Sequence, residues 1–317
     1  MDPERSDLSR FELAGSFPMQ KYLIVTADDF GLHPAVNEAV EQASRAGVLT
    51  AASLMVAAPA AADAIRRARE LPGLHVGLHV VLADGRAMLA PELIPDVADR
   101  AGRMNSRMFV NGVRFFAFRG IRRQLEAEIR AQFAAFARTG LALDHVNVHK
   151  HFHLHPTLLE MLLRIGQDYG VPAVRVPDEP FWFAARSGSR FAGVSAALLA
   201  PWIALMKRRL RNAHVPHNDR LFGIASSGAM GESKLLAIIE RLPPGVTEVY
   251  LHPATESGSE IAASMSQYRH ADELAALLSL RVRAALAAGG AYRGGYADVM
   301  RARTALGSGT RSLEEST

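Results

Sequence analysis

Asp144-His145-Val146-Asn147-Val148-His149-Lys150-His151-Phe152-His153-Leu154-His155-Pro156 carries five of the chain's twelve histidines. They fall on odd positions, and Asn147 fills the gap between His145 and His149. The even positions are Val146, Val148, Lys150, Phe152 and Leu154. Alternate side chains of a strand point to opposite faces, so the pattern predicts a strand with an apolar face on a core and an imidazole face on a cavity. Same-face neighbours are roughly 6 to 7 Å apart along a strand, whereas a metal–nitrogen bond is about 2 Å. One strand therefore supplies one ligand, or two if it bends, and the others come from elsewhere in the chain.

The flanking sequence supplies candidates at strand ends. Lys21 to Thr26 is a short apolar run that ends in Ala27-Asp28-Asp29-Phe30-Gly31, a strand leading two carboxylates into a turn. Val36, Ala39, Val40 and Ala43 then recur at helical spacing. Ser53 to Val56 reads as a strand, Ala60 to Glu70 as a helix, and Leu74 to Leu82 as a strand with His75, Gly77 and His79 on one face. Gly85 to Arg119 reads as a long irregular loop. A helix marked by Ile121, Leu125, Ile129, Phe133 and Phe136 feeds the histidine strand. Beyond it the pattern gives a helix at Thr157 to Asp168, a strand at Ala173 to Val176, a helix at Glu232 to Arg241, a strand at Thr247 to Leu251 leading into His252-Pro253, and a helix from Asp272 to Ala288. This βαβ rhythm predicts an α/β fold of mostly parallel strands with helical crossovers.

Parallel α/β folds gather their chemistry at the carboxyl ends of strands. Asp28, Asp29, His79, the histidine stretch, Arg175 and His252 all lie at or near such ends. A lone strand-end aspartate is usually a turn or helix cap, and the argument rests on the set. With no cysteine in the chain, the metal site this set can build is two histidines and one carboxylate, leaving positions for water and a substrate oxygen. One of the adjacent aspartates can bind metal while the other acts as a base. Arg175 can hold that base ionised, and His252 can protonate a leaving amine.

The 317 residues are 49% apolar and 21% charged, a globular composition. Residues 1–20 carry no continuous apolar run and are expected to be a disordered extension without a signal peptide, which places the protein in the cytoplasm. A disordered tail is expected over 305–317, with the functional domain at 21–304. A net charge of +4 and a pI near 9.6 suit an anionic surface, but no nucleic-acid-binding module is recognisable and none is expected as partner. A homo-oligomer remains compatible with the sequence. One segment breaks the rhythm. Phe191 to Met206 is apolar but for Ser195, contains Pro201 and runs into Lys207-Arg208-Arg209-Leu210-Arg211. Within an insertion at about 187–215, it reads either as a buried helix with cations at its C-terminal end or as an interfacial element, residues 191–211, whose basic tail meets anionic headgroups. It is shorter than the about 20 apolar residues of a spanning helix.

Ala27-Asp28-Asp29-Phe30-Gly31, Gly77-Leu78-His79, His149-Lys150-His151-Phe152-His153 before Pro156, and Leu251-His252-Pro253-Ala254 resemble, in order and spacing, the YdjC-like carbohydrate deacetylases, relatives of the NodB-type polysaccharide deacetylases. The resemblance runs from about Lys21 to Asp298, and the wording of the histidine stretch is most similar to the hopanoid-biosynthesis-associated branch. It implies a deformed (β/α) barrel that hydrolyses an N-acetyl group from an amino sugar. By motif position it implies Asp29, His79 and His149 as ligands of a divalent metal, with zinc favoured and magnesium, cobalt or nickel admissible. It implies Asp28 as general base, Arg175 of Arg175-Val176-Pro177 as the residue orienting that base, and His252 as general acid. Asn147 stands where many relatives carry aspartate; it, His151 and His153 are expected to touch the metal ligands or the substrate. The branch resemblance implies a lipid-linked N-acetylglucosamine headgroup, acted on at the inner membrane face. The alternatives are a soluble chitooligosaccharide such as diacetylchitobiose and a non-catalytic carbohydrate- or lipid-binding protein.

Overall fold

The computed structural model describes residues 20–186, 190–258, 261 and 263–314. The extension expected over residues 1–20 therefore lies outside the described residues except for Gln20, as do residues 187–189 of the insertion.

Strand β1 (Lys21–Phe30) runs through the Asp-Asp pair. Helix α1 (Pro34–Ala46) has its first turn capped by the His33 ring and buries Val36, Ala39, Val40 and Ala43, the periodic stripe seen in the sequence. Then come β2 (Ala51–Leu54), α2 (Ala61–Arg69) and β3 (His75–Val80). After a loop follow α3 (Met108–Ala117), α4 (Arg119–Arg138) and β4 (Val146–Val148). Helices α5 (Pro156–Asp168), α6 (Phe181–Arg186) and α7 (Arg190–Asn212) lead to β5 (Arg220–Phe222). The chain closes with α8 (Glu232–Glu240), β6 (Gly245–Leu251), α9 (His270–Leu278), α10 (Leu280–Ala288), β7 (Tyr292–Arg293) and α11 (Tyr296–Glu314).

The strand order is β4-β3-β2-β1-β6-β5, every pair parallel, with β7 against the start of β1. The gap between β4 and β5 is bridged by Ala173–Val176. Val146 N donates to Ala173 O at 2.9 Å, Arg175 N to Val146 O at 3.0 Å, and Val174 N to Pro216 O at 3.0 Å. The sheet thus curls into the deformed (β/α) barrel expected from the sequence. Its outer face carries the main apolar core under the helices. The strand pleat sends Tyr22, Ile24, Ala51 and Val246 into a small apolar cluster with Tyr296 at the start of the strands, and sends Thr26, Asp28, Ser53, Gly77, His79, Asn147, Glu248 and Tyr250 to the same face further along, so the end of the interior nearer the carboxyl ends of the strands is polar. Gly77 leaves the room that this requires: a Cβ there would lie 2.5 Å from the His145 ring.

Several expectations are corrected. The histidine strand ends at Val148. Residues His149–Leu154 form a 3₁₀ turn in which Lys150 (φ 56°, ψ 24°) and His151 (φ 54°, ψ 30°) are left-handed, because a straight strand would carry His151 and His153 past the cavity. The loop at Gly85–Arg119 contains α3, whose buried Asn111 and Phe115 are four residues apart; the intervening glycine and β-branched residues hid that period. The helix expected from Asp272 to Ala288 is broken at Ser279, whose side chain accepts from Arg281 N and Val282 N and so caps a new helix. The tail expected to be disordered from residue 305 is helical to Glu314. A helix anchored by buried Tyr296 propagates at one hydrogen bond per added residue, which offsets its glycines.

In α7, Ile203, Met206 and Leu210 are buried, whereas Leu198, Leu199 and Trp202 are exposed. Lys207 is an internal ion-pair partner, donating to Asp178 Oδ2 at 2.5 Å and to Asp219 O at 2.7 Å. Among the described residues no helix is long and apolar enough to cross a membrane.

Candidate active site

Two departures from regular backbone assemble the site. The β1–β2 register shifts between Ala27 and Phe30, and Asp29 adopts φ 63°. This bulge turns Asp28 and Asp29 into one interior, where plain alternation would send them to opposite faces. The second departure is the left-handed pair Lys150-His151. Each such non-glycine residue costs on the order of 1–3 kcal/mol and is held only where its surroundings demand it. Together they place His149 against β1 and His151 over β6.

Asp29 Oδ1 lies 3.3 Å from His79 Nε2 and 3.2 Å from His149 Nδ1, and the two ring nitrogens are 3.2 Å apart. All three residues are buried, and neither Asp29 oxygen has a hydrogen-bond donor. A buried carboxylate left this way is costly, while a cation among the three groups satisfies all of them. His79 Nδ1 is 2.6 Å from Asn147 Oδ1. The amide oxygen only accepts, so the proton is on Nδ1 and the Nε2 lone pair faces Asp29. The donor set fits a divalent ion.

The orientation of Asn147 is itself determined. Its Nδ2 donates to Asp28 Oδ1 at 3.2 Å and to Ser53 Oγ at 2.9 Å. Ser53 is 3.0 Å from His145 Nε2, and His145 Nδ1 is 2.9 Å from Asp144 Oδ2. The Asp144 carboxylate also accepts from Tyr296 N and Ala297 N, each at 2.9 Å, at the start of α11. Only one set of proton positions satisfies this chain: His145 donates to Asp144, Ser53 to His145, Asn147 to Ser53 and Asp28, and His79 to Asn147. Reversing the amide would face two donors at His79 and an acceptor at a carboxylate. An amide at 147 thus links the two acidic and imidazole groups where an aspartate would repel Asp28.

Asp28 is gripped from the other side. Arg175 donates to Asp28 Oδ2 at 2.5 Å and Oδ1 at 2.9 Å, and to Glu248 Oε2 at 2.9 Å and Oε1 at 2.6 Å. Glu248 also accepts from Thr26 at 2.7 Å and from Tyr296 Oη at 2.5 Å. Arg175 is fully buried, and its guanidinium carbon lies 4.9 Å from the Tyr250 ring centroid. Burial opposes ionisation of Asp28, but Arg175 outweighs it and holds the carboxyl well below the usual range. Likewise burial disfavours ionised Asp29, and the neighbouring His149 and His79 outweigh it in the same direction. Burial would lower His79, yet the charge of Asp28 and the contact with Asp29 raise it.

These groups open on a cavity of about 290 Å³ lined also by Lys150, His151, Tyr250, His252, Met265 and Tyr268. His252 Nε2 is 3.9 Å from Asp29 Oδ2, and burial pushes the ring's pKa down. Its backbone is held by Glu273, which accepts from His252 N at 2.5 Å and from Met230 N at 2.7 Å. Burial raises the Glu273 pKa to about 7 against those bonds. His151 Nε2 is 3.1 Å from Tyr250 Oη and its Nδ1 has no partner, leaving a polar atom for a ligand. His153 donates to the Arg175 carbonyl at 2.8 Å, and burial lowers its pKa to about 4, so it is a neutral brace for the arginine's backbone.

Asp28, Asp29, His79, Asn147, His149, His151, His153, Arg175 and His252 thus converge on one interior, whereas His155 packs on Phe115 and His75 pairs with Asp144 and Asp298. Sequence reasoning missed Glu248, Ser53, Tyr250 and the role of Asp144-His145. A signal existed for one group: Glu248, Tyr250 and His252 alternate along an otherwise apolar strand, the same period that revealed the histidines. Ser53 carried no signal, since its importance comes from β2 lying beside β3.

The family described as YdjC-like protein matches residues 22–288 of the chain. A carbohydrate deacetylase of Geobacillus stearothermophilus is 29% identical over 261 residues, 82% of this chain and 90% of the relative. One of Brevibacillus brevis is 38% identical over 155 residues, 49% of this chain and 59% of the relative. A crystal structure from Enterococcus faecalis, described as a candidate cellobiose-phosphate cleavage protein, superposes with a TM-score of 0.66 at 23% identity, covering 87% of this chain and 98% of that one. At that identity the likeness concerns the fold.

Proposed function

The chain belongs to the family of YdjC-like proteins, and from that premise we propose that it is a metal-dependent carbohydrate N-deacetylase, a hydrolase of the N-acetyl group on an N-acetylglucosamine unit. The convergence of Asp29, His79 and His149 beside an ionised Asp28 supports this most directly. Those three residues would hold the divalent ion. When bound, it polarises the acetyl carbonyl and brings the pKa of a coordinated water toward about 7. Asp28, doubly bonded to Arg175, is the carboxylate placed to take the proton of the attacking water. Arg175 and Asn147 fix the plane of its carboxylate, so the proton is received at a set position. His252, which lines the same cavity, is placed to protonate the departing amine. His151 Nδ1, which has no partner, is a contact for a sugar hydroxyl, while Lys150 at the same wall is paired with Asp84.

The substrate in this reading is the headgroup of a glycosylated hopanoid lipid at the cytoplasmic membrane face. Its support is the exposed Leu198, Leu199 and Trp202 of α7, whose Trp202 indole donates to the Leu154 carbonyl at the end of the His149–Leu154 turn. A second reading, a soluble chitooligosaccharide, is favoured by the engagement of Lys207 with Asp178, which removes one cation from the tail that would face headgroups. The test is acetate release from an N-acetylglucosaminyl lipid and from diacetylchitobiose, side by side, by protein reloaded with zinc, magnesium, cobalt or nickel, with Asp28→Asn as control. Metal-dependent release lost at least tenfold in Asp28→Asn is expected. No release from any N-acetyl sugar would leave only a binding function, and release from the soluble sugar alone would remove the lipid.

A further inference from the structure

The stretch from Arg100 to Leu125 contains seven arginines and no acidic residue. It includes α3 and the first turns of α4. On α3, Asn111 and Phe115 face the core, while Val110, Val113 and Phe116 are 50%, 57% and 69% exposed. These three are spaced three residues apart and form one outward stripe. Phe118, between the two helices, is 57% exposed. No described element covers this stripe, and four large apolar side chains together are more than the scattered exposure of an ordinary surface.

Four of the cations beside it have no ion-pair partner among the described residues. Arg103 pairs with Asp99 and Arg114 lies near Asp96, but Arg107, Arg119, Arg122 and Arg123 make no ion pair among the described residues. Arg119, Arg122 and Arg123 stand in the first turns of α4, where the helix dipole disfavours positive charge. An apolar face rimmed by unpaired arginines complements an anionic lipid surface, in which the aromatic side chains enter the acyl boundary while the guanidinium groups meet phosphates.

The stripe is next to the candidate active site. Phe115 packs on Phe152 at 5.5 Å and on His155 at 6.5 Å between ring centroids, on the turn that also carries His149 and His151. Helix α7 reaches the same turn from Trp202. We propose that α3, with Phe118 and the arginines opening α4, docks the protein on an anionic bilayer beside the mouth of the catalytic cavity, an inference that rests on the lipid-linked substrate reading for its purpose. A protein seated there would draw a glycolipid headgroup into the cavity without removing its lipid from the membrane.

The experiment is flotation of the full chain with phosphatidylcholine vesicles, with and without phosphatidylglycerol, at low and high salt. Three proteins are compared: the parent, Phe116→Ser/Phe118→Ser, and Arg119→Gln/Arg123→Gln. Binding only to the anionic vesicles, weakened by salt and reduced at least tenfold in both variants, is expected. Deacetylation of a soluble N-acetyl sugar, where the parent has it, and the thermal transition stay unchanged in both, showing that they are folded. Parent protein that does not float, or variants that float as well as it does, overturns the docking surface. A parent dimer that the Phe116→Ser/Phe118→Ser variant dissociates, with vesicle binding unaltered, reassigns the face to self-association and also overturns it. Vesicle binding by a protein that releases no acetate from a lipid-linked sugar leaves the docking surface standing while the substrate reading fails.

Discussion

Replacing Arg175 with glutamine tests whether the guanidinium is what keeps Asp28 ionised inside the barrel. The substitution removes four hydrogen bonds to two buried carboxylates, Asp28 and Glu248, and leaves both without their cation. Breaking a buried pair in this way costs about 3–5 kcal/mol, so a loss of about 4 kcal/mol is expected at pH 7. At about 2 °C per kcal/mol for a chain of this size, the transition falls by about 8 °C. The loss depends on pH with a definite sign. In the parent, the folded pKa of Asp28 is depressed below its unfolded value of about 3.9, so Asp28 stabilises the fold above about pH 4 and ceases to do so as pH falls through the folded value. Without Arg175, burial dominates and raises the folded pKa above the unfolded one. Asp28 then destabilises the fold above about pH 4 and is harmless below it. The gap between the two proteins therefore widens from about pH 4 to pH 7. Urea unfolding of metal-free protein at several pH values measures it. Adding Glu248→Gln to Arg175→Gln should restore at least about 1 kcal/mol, since the cost lies in uncompensated charge. A loss under about 1 kcal/mol at pH 7, or one equal at pH 4 and pH 7, would refute the reasoning.

Removal of the divalent ion by a chelator should lower the thermal transition of the parent and leave that of Asp29→Asn unmoved. A free ion at 100 times its dissociation constant stabilises by about 2.7 kcal/mol, and calorimetric titration of both proteins with zinc provides the affinity directly. Ser53→Ala, two hydrogen-bond steps from His79, should cost about 1–3 kcal/mol by leaving Asn147 and His145 without a partner. It should also weaken metal binding by about tenfold through loss of the fixed His79 tautomer. Retained metal affinity with lowered stability would confine Ser53 to a packing role.

Much of the architecture was legible because it depends on short-range periodicity. The apolar run ending in Asp28-Asp29, the stripe of α1 and the βαβ rhythm are local signals, and β1, β2, β3 and β6 were found within a few residues of their places, whereas β5 and β7, three and two residues long, were missed and the strand expected at Ala173–Val176 is a single bridge to Val146. The identity of the site residues was legible for a related reason: a parallel barrel brings strand ends together wherever the strands are, so Asp28, Asp29, His79, His149, Arg175 and His252 could be grouped from their positions alone. The histidine stretch was misjudged beyond Val148, because period-two spacing of imidazoles is equally compatible with a strand and with a turn that folds two of them back.

What the sequence determined by itself was therefore the parallel α/β class and the gathering of Asp28, Asp29, His79, His149, Arg175 and His252 at strand ends, since both follow from residue type and spacing. The tertiary structure alone decided which way those residues face. The bulge at Asp29 and the left-handed Lys150-His151 are not signalled by residue type and show only in the curled sheet. The chain from Asp144 through His145, Ser53 and Asn147 joins residues from different strands into one set of proton positions, and Glu248 becomes the second anchor of Arg175 only because β6 pairs with β1. Hydrogen bonds act over about 3 Å, and which groups come within that distance is settled by how the strands curl together.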